Sequence, residues 1–468
     1  MSDDAFVDGF WPYRNDADNY REIPAEPVDR AEVLARIQRM ARREDETGDQ
    51  GRVSGSLYSG DHDHYRYLGD VFSEFSHANV LQRDMYPSAT KFEGEIIAMV
   101  LAMLHGDEAG WGACGVVTSG GSESLITALY AYREQARADR GVEHPNVVMP
   151  LTAHVALDKG AHWMGVEMRH APVGPDFRAD VAAMAELLDD NTIALVGSAV
   201  NYPHGLIDPI SEMSDLAQER GVGLHVDGCL GGFLLPWVEQ VGYPVPPWDF
   251  RVPGVTSISA DTHKYGYALK GTSTLLYRSR ELRRHQYFTY PDWPGGLYLS
   301  PGLAGSRSGG LIASTWAAMV TTGRSGYLQA ASEIMAAAEV IRAGVADIDG
   351  IEVIGDPLWV VAFRATDAEI DIYLVNDRLK ELGWRLNSLQ LPPALHFCVT
   401  RPNTRDGVAD GFVAALRDAV AYAREHAGEP AASGAMYGFG GTPQGNATLT
   451  ELMAGVLDAM HEVAPDGA

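Results

Sequence analysis

Lysine is scarce in this chain. Lys91, Lys159, Lys264, Lys270 and Lys380 are the only five in 468 residues, and every other strong cation is arginine. With 36 basic against 63 acidic residues, the formal net charge is -27. That deficit of positive charge argues against sequence-independent binding to nucleic acid, because a phosphate backbone is held by clustered Lys and Arg that release its counterions. An anionic membrane surface would also repel the chain on average. Cysteine is nearly absent too: Cys114, Cys229 and Cys398 are far apart, odd in number and without CxxC spacing, which indicates neither a disulfide framework nor a zinc site. A reducing compartment follows as the expectation. No apolar run approaches the roughly 20 residues of a membrane span, and the acidic start Met1-Ser-Asp-Asp-Ala lacks the basic and apolar regions of a signal peptide. These absences predict a cytoplasmic protein without a transmembrane anchor.

What is present is an ordinary globular composition, 46% apolar, in a chain long enough for two or three domains. The first stretch is polar and proline-punctuated and then predicts one helix, Arg30 to Arg43, with Val33, Leu34 and Ile37 on one face, as an arm against something larger. From Gly51 to Pro87 glycine, histidine and aromatics mix without clear periodicity, which predicts a loop-rich, site-lining segment. His62 and His64 alternate instead of standing at i, i+4, which does not favour a metal site. From Val116 to Tyr277 short apolar strands alternate with helices, the pattern of an α/β fold with a mostly parallel sheet. After about Ile351 short strands and helices predict a smaller α+β unit. The chain divides on this reading into 1–90 (arm and site-lining segment), 91–347 (large domain) and 348–468 (small C-terminal domain).

Two of the five lysines fall in one turn, Asp261-Thr-His-Lys264-Tyr-Gly-Tyr-Ala-Leu-Lys270, between the apolar runs Val255 to Ile258 and Ser273 to Tyr277. An amine held among buried strands loses hydration, so its pKa is expected to fall and its nitrogen to become nucleophilic toward a carbonyl. Other pieces stand where strands end. Ser119-Gly120-Gly121-Ser122 joins a strand to a helix, so its backbone can approach a ligand and its N–H groups can cup an anion. His154 follows another strand, and Asp227-Gly228-Cys229 ends a third.

Alone, each piece has a plain structural reading: a strand-end lysine, a satisfied histidine, a helix-capping aspartate, a turn. Together, in this order, they are the parts needed to hold pyridoxal 5′-phosphate. Lys264 would bond to the cofactor's aldehyde and Asp227 would keep the pyridine nitrogen protonated. At about 4 Å and an effective dielectric near 20 that ion pair is worth roughly 4 kcal/mol, or about three pKa units. His154 and Cys229 would lie on the two ring faces, and the Ser119–Ser122 cup with His263 would take the phosphate.

The runs Gly115-Val-Val-Thr-Ser-Gly-Gly-Ser-Glu-Ser124, Pro203-His-Gly-Leu-Ile-Asp-Pro209, His225-Val-Asp-Gly-Cys-Leu-Gly-Gly-Phe-Leu234, Gly254 through Tyr267 and Ala304-Gly-Ser-Arg307 resemble the group II pyridoxal-phosphate-dependent decarboxylase family. Within it they are similar to the branch of carbon–carbon lyases that act on phosphorylated long-chain bases. The resemblance implies a fold-type-I (aspartate aminotransferase-like) homodimer with shared active sites. Tyr298 and the Gly305-Ser306-Arg307 turn would reach the neighbouring subunit's site, Lys270 would act as a second catalytic lysine, and Tyr58, Asn79 and Tyr202 would stand on the substrate side. The chain departs from the branch at Asn79-Val-Leu-Gln82-Arg83-Asp84, where the pattern reads Asn-Pro-Leu-His-Pro-Asp; Arg83 is the candidate anion ligand in place of that histidine. The substrate expected is a small-molecule amine carrying a phosphate, cleaved at C2–C3 by retro-aldol chemistry. An L-amino acid decarboxylase and a non-catalytic pyridoxal-phosphate-binding protein are the alternatives.

Overall fold

A computed structural model describes residue 13 and residues 19–434 and 443–461. Seven strands form the central sheet: β1 (Cys114–Thr118), β2 (Asn146–Pro150), β3 (Glu167–Ala171), β4 (Thr192–Ser198), β5 (Gly223–Asp227), β6 (Val255–Ala260) and β7 (Ser273–Tyr277), in the order β1-β7-β6-β5-β4-β2-β3. β7 runs antiparallel to both its neighbours, so β1 keeps the direction of β6, and the remaining pairs are parallel. Helices cover both faces, and the strands therefore read as continuous apolar runs instead of alternating ones; every residue of β2, β4 and β7 is buried. The consequence for function is directional. The C-terminal ends of β1, β2, β4, β5 and β6 open on one edge, the crevice where open α/β sheets bind ligands. Asp227 is itself one of those ends, and Ser119, His154, Tyr202 and Lys264 each follow one.

Two short strands, β8 (Phe288–Tyr290) and β9 (Tyr298–Ser300), form an exposed hairpin. The helix Gly309–Ala346 then runs between the central sheet and a four-stranded antiparallel sheet, β10 (Ile351–Val353), β11 (Val360–Ala365), β12 (Asn387–Gln390) and β13 (Pro393–Cys398), ordered β10-β11-β13-β12. It breaks at Gly323, whose φ of 59° and ψ of 171° suit glycine.

Two expectations need correction. The segment Gly51 to Pro87 contains a regular helix, His62–Glu74. Asp61 caps it by accepting from the Asp63 and His64 amides at 2.9 and 3.1 Å, and Leu68 is fully buried. His62 and His64 point apart, one to Asp49 and the other to the Tyr267 carbonyl. The first helix also runs on to Asp49, through residues with no apolar period to announce it, and its Val33, Leu34 and Ile37 face is exposed in the single chain. The last helix spans Pro443–Met460, and residues 462–468 lie outside the described ones.

Asp208, within the Pro203–Pro209 run, is a structural residue. Its two carboxylate oxygens accept from the Ala179 and Ser198 amides at 3.0 and 2.8 Å in a fully buried position, pinning the end of β4. Asp208→Ala orphans both donors at about 1–3 kcal/mol each. Urea unfolding should accordingly show a loss of about 2–5 kcal/mol; a loss below about 1 kcal/mol would contradict the assignment.

Candidate active site

Lys264 sits in the turn between β6 and β7, and its Nζ lies 2.9 Å from Asp261 Oδ2. Asp261 is 2% exposed, and its Oδ1 makes no hydrogen bond in the structure. The expectation of a depressed lysine pKa is overturned here. Burial does pull the ammonium down, but Asp261, with help from Cys229 and Tyr58, outweighs it and lifts Lys264 above the ordinary lysine value. The depressed amine is Lys270: burial lowers it, the positive charge of Lys264 lowers it further, and Asp261 only partly opposes them. Lys270 Nζ lies over the Tyr58 ring, 4.8 Å from its centroid. Tyr58 is itself buried, edge-on to Tyr265 at 5.0 Å, and its hydroxyl is pushed far up by burial.

The anion cup stands beside this pair. β1 ends at Thr118, Gly120 takes φ 149°, and the helix Gly121–Arg140 starts directly, so Ser119 to Ser122 form its entry and first turn. A Cβ on Gly121 would lie 2.9 Å from both Asp261 oxygens and 3.0 Å from Cys229 Sγ, so only glycine lets the turn approach so closely. His263 is packed at the same place, with Cε1 at 3.9 Å from a Cβ on Gly120, Nδ1 on the Thr272 carbonyl at 2.5 Å, and Nε2 3.7 Å from Asp261 Oδ2.

Asp227, the last residue of β5, is held by the Cys229 N–H at 2.9 Å and the Ser259 hydroxyl at 3.2 Å, both to Oδ1. Burial would raise its pKa, but the nearby His154 and the Cys229 amide win, and the group stays below the usual carboxylate range. It is therefore an ionised carboxylate at the floor of the crevice. Behind it His225 bonds Ser257 at 2.7 Å and is depressed to about 4 by burial, so it braces the strand as a neutral ring. His154 accepts from the Ala156 amide at 3.1 Å through Nδ1, and Tyr202 stands edge-on to both His154 and His396, at 6.5 and 4.9 Å between centroids. The Cys229 thiol is raised well above its ordinary value by burial and is a packing group, not a nucleophile.

A second set assembles around Asn79. Its side chain accepts from the Arg307 and Leu81 amides at 3.2 and 3.0 Å and donates to Ser306 Oγ at 3.0 Å. The Tyr298 hydroxyl lies 3.3 Å from a Cβ on Gly305, so Asn79, Tyr298, Gly305 and Ser306 share one corner. Arg83 does not stand there as an independent cation. It donates to Glu93 Oε2 at 2.9 Å, and Arg307 takes the same carboxylate in two bonds of 2.6 and 3.1 Å. Two guanidiniums on one buried carboxylate leave one net positive charge.

Three residues that the sequence reading left without a role complete the site. Asp261 stands three positions before Lys264, a spacing that brings the two side chains together in a turn. Glu93 is the buried acid of the helix Pro87–Met103. Glu123, in the first turn of the cup helix, accepts from Ser119 N at 2.6 Å and Leu303 N at 3.1 Å, and so ties the cup to the loop that carries Ser306.

An anion cup at a helix start, an ionised aspartate at the sheet's edge and a half-buried lysine in the turn beside them together define the class of pyridoxal-phosphate-dependent enzymes. The model of the pyridoxal-dependent decarboxylase conserved domain matches residues 20–366. Sphingosine-1-phosphate lyase of Arabidopsis thaliana is 42% identical over 420 residues, covering 88% of this chain and 76% of its own. The enzyme of that name from Saccharomyces cerevisiae is 37% identical over 456 residues, 96% of this chain and 76% of its own. The solved structure of a Burkholderia pseudomallei sphingosine-1-phosphate lyase superposes with a TM-score of 0.90 at 46% identity, covering 97% of this chain and all (100%) of that one. A Lactobacillus brevis glutamate decarboxylase shares the fold at 22% identity and a TM-score of 0.74. The chain belongs to the pyridoxal-dependent decarboxylase family and, within it, to the sphingosine-1-phosphate lyases.

Because a Cβ on Gly121 would strike the Asp261 carboxylate and Cys229, Gly121→Ala should weaken pyridoxal phosphate binding by about tenfold or more, a loss of about 1.4 kcal/mol. Titration of the cofactor-free protein, followed by the visible absorbance of the bound cofactor, measures this directly. Unchanged affinity would show that the close approach is not needed.

Proposed function

We propose that this protein cleaves the C2–C3 bond of a phosphorylated sphingoid base, releasing phosphoethanolamine and a fatty aldehyde. The observation that carries the reading is the pairing of two lysines in opposite charge environments beside one anion cup. Its support beyond the chain is the run of sphingosine-1-phosphate lyases similar over most of their length. When bound, pyridoxal phosphate supplies the electron sink that accepts the pair left by the breaking bond.

The chain's own residues do the rest. The Ser119–Ser122 cup and His263 would hold the cofactor phosphate, Asp227 would keep the ring nitrogen protonated, and His154 and Cys229 would pack against the ring. Lys264 would carry the cofactor. Lys270, the amine with the lowered pKa, would accept the C3 hydroxyl proton, and the partner subunit's Tyr298 would share that transfer. Tyr58 and Tyr202 wall the substrate side. The net positive corner made by Arg83, Arg307 and Glu93 faces Asn79 and Ser306, where the substrate phosphate would be received. An apolar cavity of about 390 Å³ lined by Ile126, Tyr130, Trp163, Phe288, Tyr298 and Leu303 adjoins the same loop and suits an aliphatic chain.

We also propose a homodimer with shared sites. The exposed Val33, Leu34 and Ile37 face and the exposed Phe288, Trp293, Leu297 and Leu299 are apolar surface that a second copy would cover. Among the described residues no helix is long and apolar enough to cross a membrane, and Cys114, Cys229 and Cys398 are free and buried. A cytoplasmic setting fits these features. The units 91–347 and 348–468 correspond, on this proposal, to a large cofactor-binding domain and a small domain, with 1–90 as arm and site lining.

Incubation with dihydrosphingosine phosphate should release long-chain aldehyde, and incubation with an amino-acid panel should release no carbon dioxide. Carbon dioxide without aldehyde would overturn the reading in favour of a decarboxylase, and neither product, in a protein that binds the cofactor, in favour of a non-catalytic one. Lys270→Ala should lower kcat by about 10²–10⁴ while leaving the visible cofactor band intact. In the wild type, kcat should rise with pH to a plateau reached below the ordinary lysine pKa, because the base works deprotonated and its pKa is depressed. A profile still climbing at pH 10.5 would remove Lys270 from that role. Co-expressed Lys264→Ala and Tyr298→Phe chains should regain up to about a quarter of wild-type activity through mixed dimers with one intact site; no recovery despite mixed-dimer formation would refute shared sites.

A further inference from the structure

Asp227 ends a chain of buried hydrogen bonds whose direction can be read atom by atom. An ionised carboxylate only accepts. Its two hydrogen bonds both fall on Oδ1, from the Cys229 amide at 2.9 Å and the Ser259 hydroxyl at 3.2 Å. The single hydroxyl hydrogen of Ser259 is thereby spent, because a charged acceptor holds it more strongly than a neutral ring nitrogen does. Toward the Cys229 thiol at 3.2 Å and His225 Nε2 at 3.4 Å, Ser259 Oγ can therefore only accept. Nε2 must carry the hydrogen. Burial depresses His225 to about 4, so the ring is neutral and has no second hydrogen. Its Nδ1 is bare and accepts from the Ser257 hydroxyl at 2.7 Å. Ser257, its own hydrogen spent in turn, accepts from the Tyr132 hydroxyl at 2.6 Å. Tyr132, Ser257, His225 and Ser259 are each 2% exposed or less, so every link lies out of reach of bulk solvent. Tyr132 belongs to the helix Gly121–Arg140, whose first turn forms the anion cup. Glycine at 223, where β5 begins, admits its ring: a Cβ there would lie 2.2 Å from Tyr132 Cε1.

We propose that Ser259 and His225 are positioning residues for the ring-nitrogen site: His225, locked as its Nε2–H tautomer, orients the Ser259 hydroxyl onto Asp227 Oδ1, and Oδ2 is left as the charged partner of the cofactor's ring nitrogen. Neither residue touches the cofactor. Both act through the one carboxylate that does, and all four donors of the chain point toward it. The cup helix thus has two holds on the cofactor, its first turn at the phosphate and Tyr132, three turns further on, at the far end of the chain that steadies Asp227. A neutral imidazole in this place donates to Ser259 without adding a positive charge that would compete with the ring nitrogen for the carboxylate. The proposal rests on the pyridoxal phosphate reading but not on the identity of the substrate.

The test titrates cofactor-free protein with pyridoxal phosphate and, separately, with the analogue that has carbon in place of the ring nitrogen, each followed by quenching of tryptophan fluorescence. Ser259→Ala and His225→Asn should bind pyridoxal phosphate about tenfold more weakly than wild type, a loss of about 1.4 kcal/mol. Their affinity for the analogue, which has no nitrogen for Asp227 to hold, should stay within about twofold of the wild-type value. His225→Gln, whose amide nitrogen can stand where Nε2 stood, should bind pyridoxal phosphate within about threefold of wild type. Equal losses for the two cofactors would reduce Ser259 and His225 to packing groups and overturn the proposal. Tighter binding by His225→Asn than by His225→Gln would place the hydrogen on Nδ1 and overturn it as well. The histidine pair decides alone if Ser259→Ala does not fold, and Ser259→Ala decides alone if the histidine variants do not. A wild type that binds both cofactors equally would refute the ring-nitrogen role of Asp227, and one that binds neither would refute the cofactor assignment itself.

Discussion

A buried carboxylate and a half-buried ammonium 2.9 Å apart are the constraint on which the site depends. Burying either charge alone costs several kcal/mol, so neither Asp261 nor Lys264 could occupy its position as an ion without the other. The surrounding chain is shaped by that requirement. β6 and β7 lock the turn between them, and Thr262 bonds Thr272 at 2.7 Å across its neck. Gly121 leaves room for the carboxylate beneath the cup, and Cys229 contributes a small neutral side chain on the third side. A sheet whose strands end along one edge provides five such supporting turns at once, and this is why residues more than a hundred positions apart in sequence share one crevice.

Away from the lysine, buried acids act as clasps. Glu93 joins the helix Pro87–Met103 to Arg307 and Arg83, while its Oε1 also accepts from the Val117 amide at 3.3 Å. Glu123 joins the cup to Leu303. Between them the two carboxylates fix both ends of the segment from Leu303 to Arg307 against β1 and the cup helix. A chain with so few cations places two of its arginines on one buried carboxylate, and the surplus positive charge falls beside Asn79 and Ser306. In a molecule of net charge -27 that corner is a local inversion of the overall field, the arrangement expected where an anionic ligand must be drawn to one place.

Much of this was legible in the letters. Strands buried on both faces announce themselves as apolar runs, and the turns that follow them carry glycine and polar residues for reasons of backbone geometry, so Ser119, Asp227 and Lys264 could be placed at strand ends before any contact was known. The sign of the lysine's pKa shift could not. It turns on whether a charge partner lies within about 4 Å, and Asp261 reads as one more polar residue in a turn until the fold shows that it is buried and aimed at Nζ. The partner of Arg83 was hidden for the same reason: an arginine in a site-lining segment shows no ion pair in the letters, and Glu93, ten positions later and on the next helix, takes its guanidinium. The helix His62–Glu74 was hidden differently, because its buried face is narrow and its polar, histidine-rich surface resembles a loop.

One carboxylate biases the two lysines of this turn in opposite directions, and that difference is what separates their chemistry. Asp261 touches Lys264 and overrides the desolvation that would otherwise neutralise it. It acts on Lys270 more weakly, through space, and there burial and the repulsion of Lys264 prevail. Environments that drive like groups apart are how a site obtains an acid and a base from the same residue type. The charged lysine stays paired with the carboxylate. The other, its pKa lowered, gives up its proton more readily. Reversing the two would require moving the carboxylate rather than either lysine, so the division of labour is set by Asp261 and by the glycine turn that makes space for it.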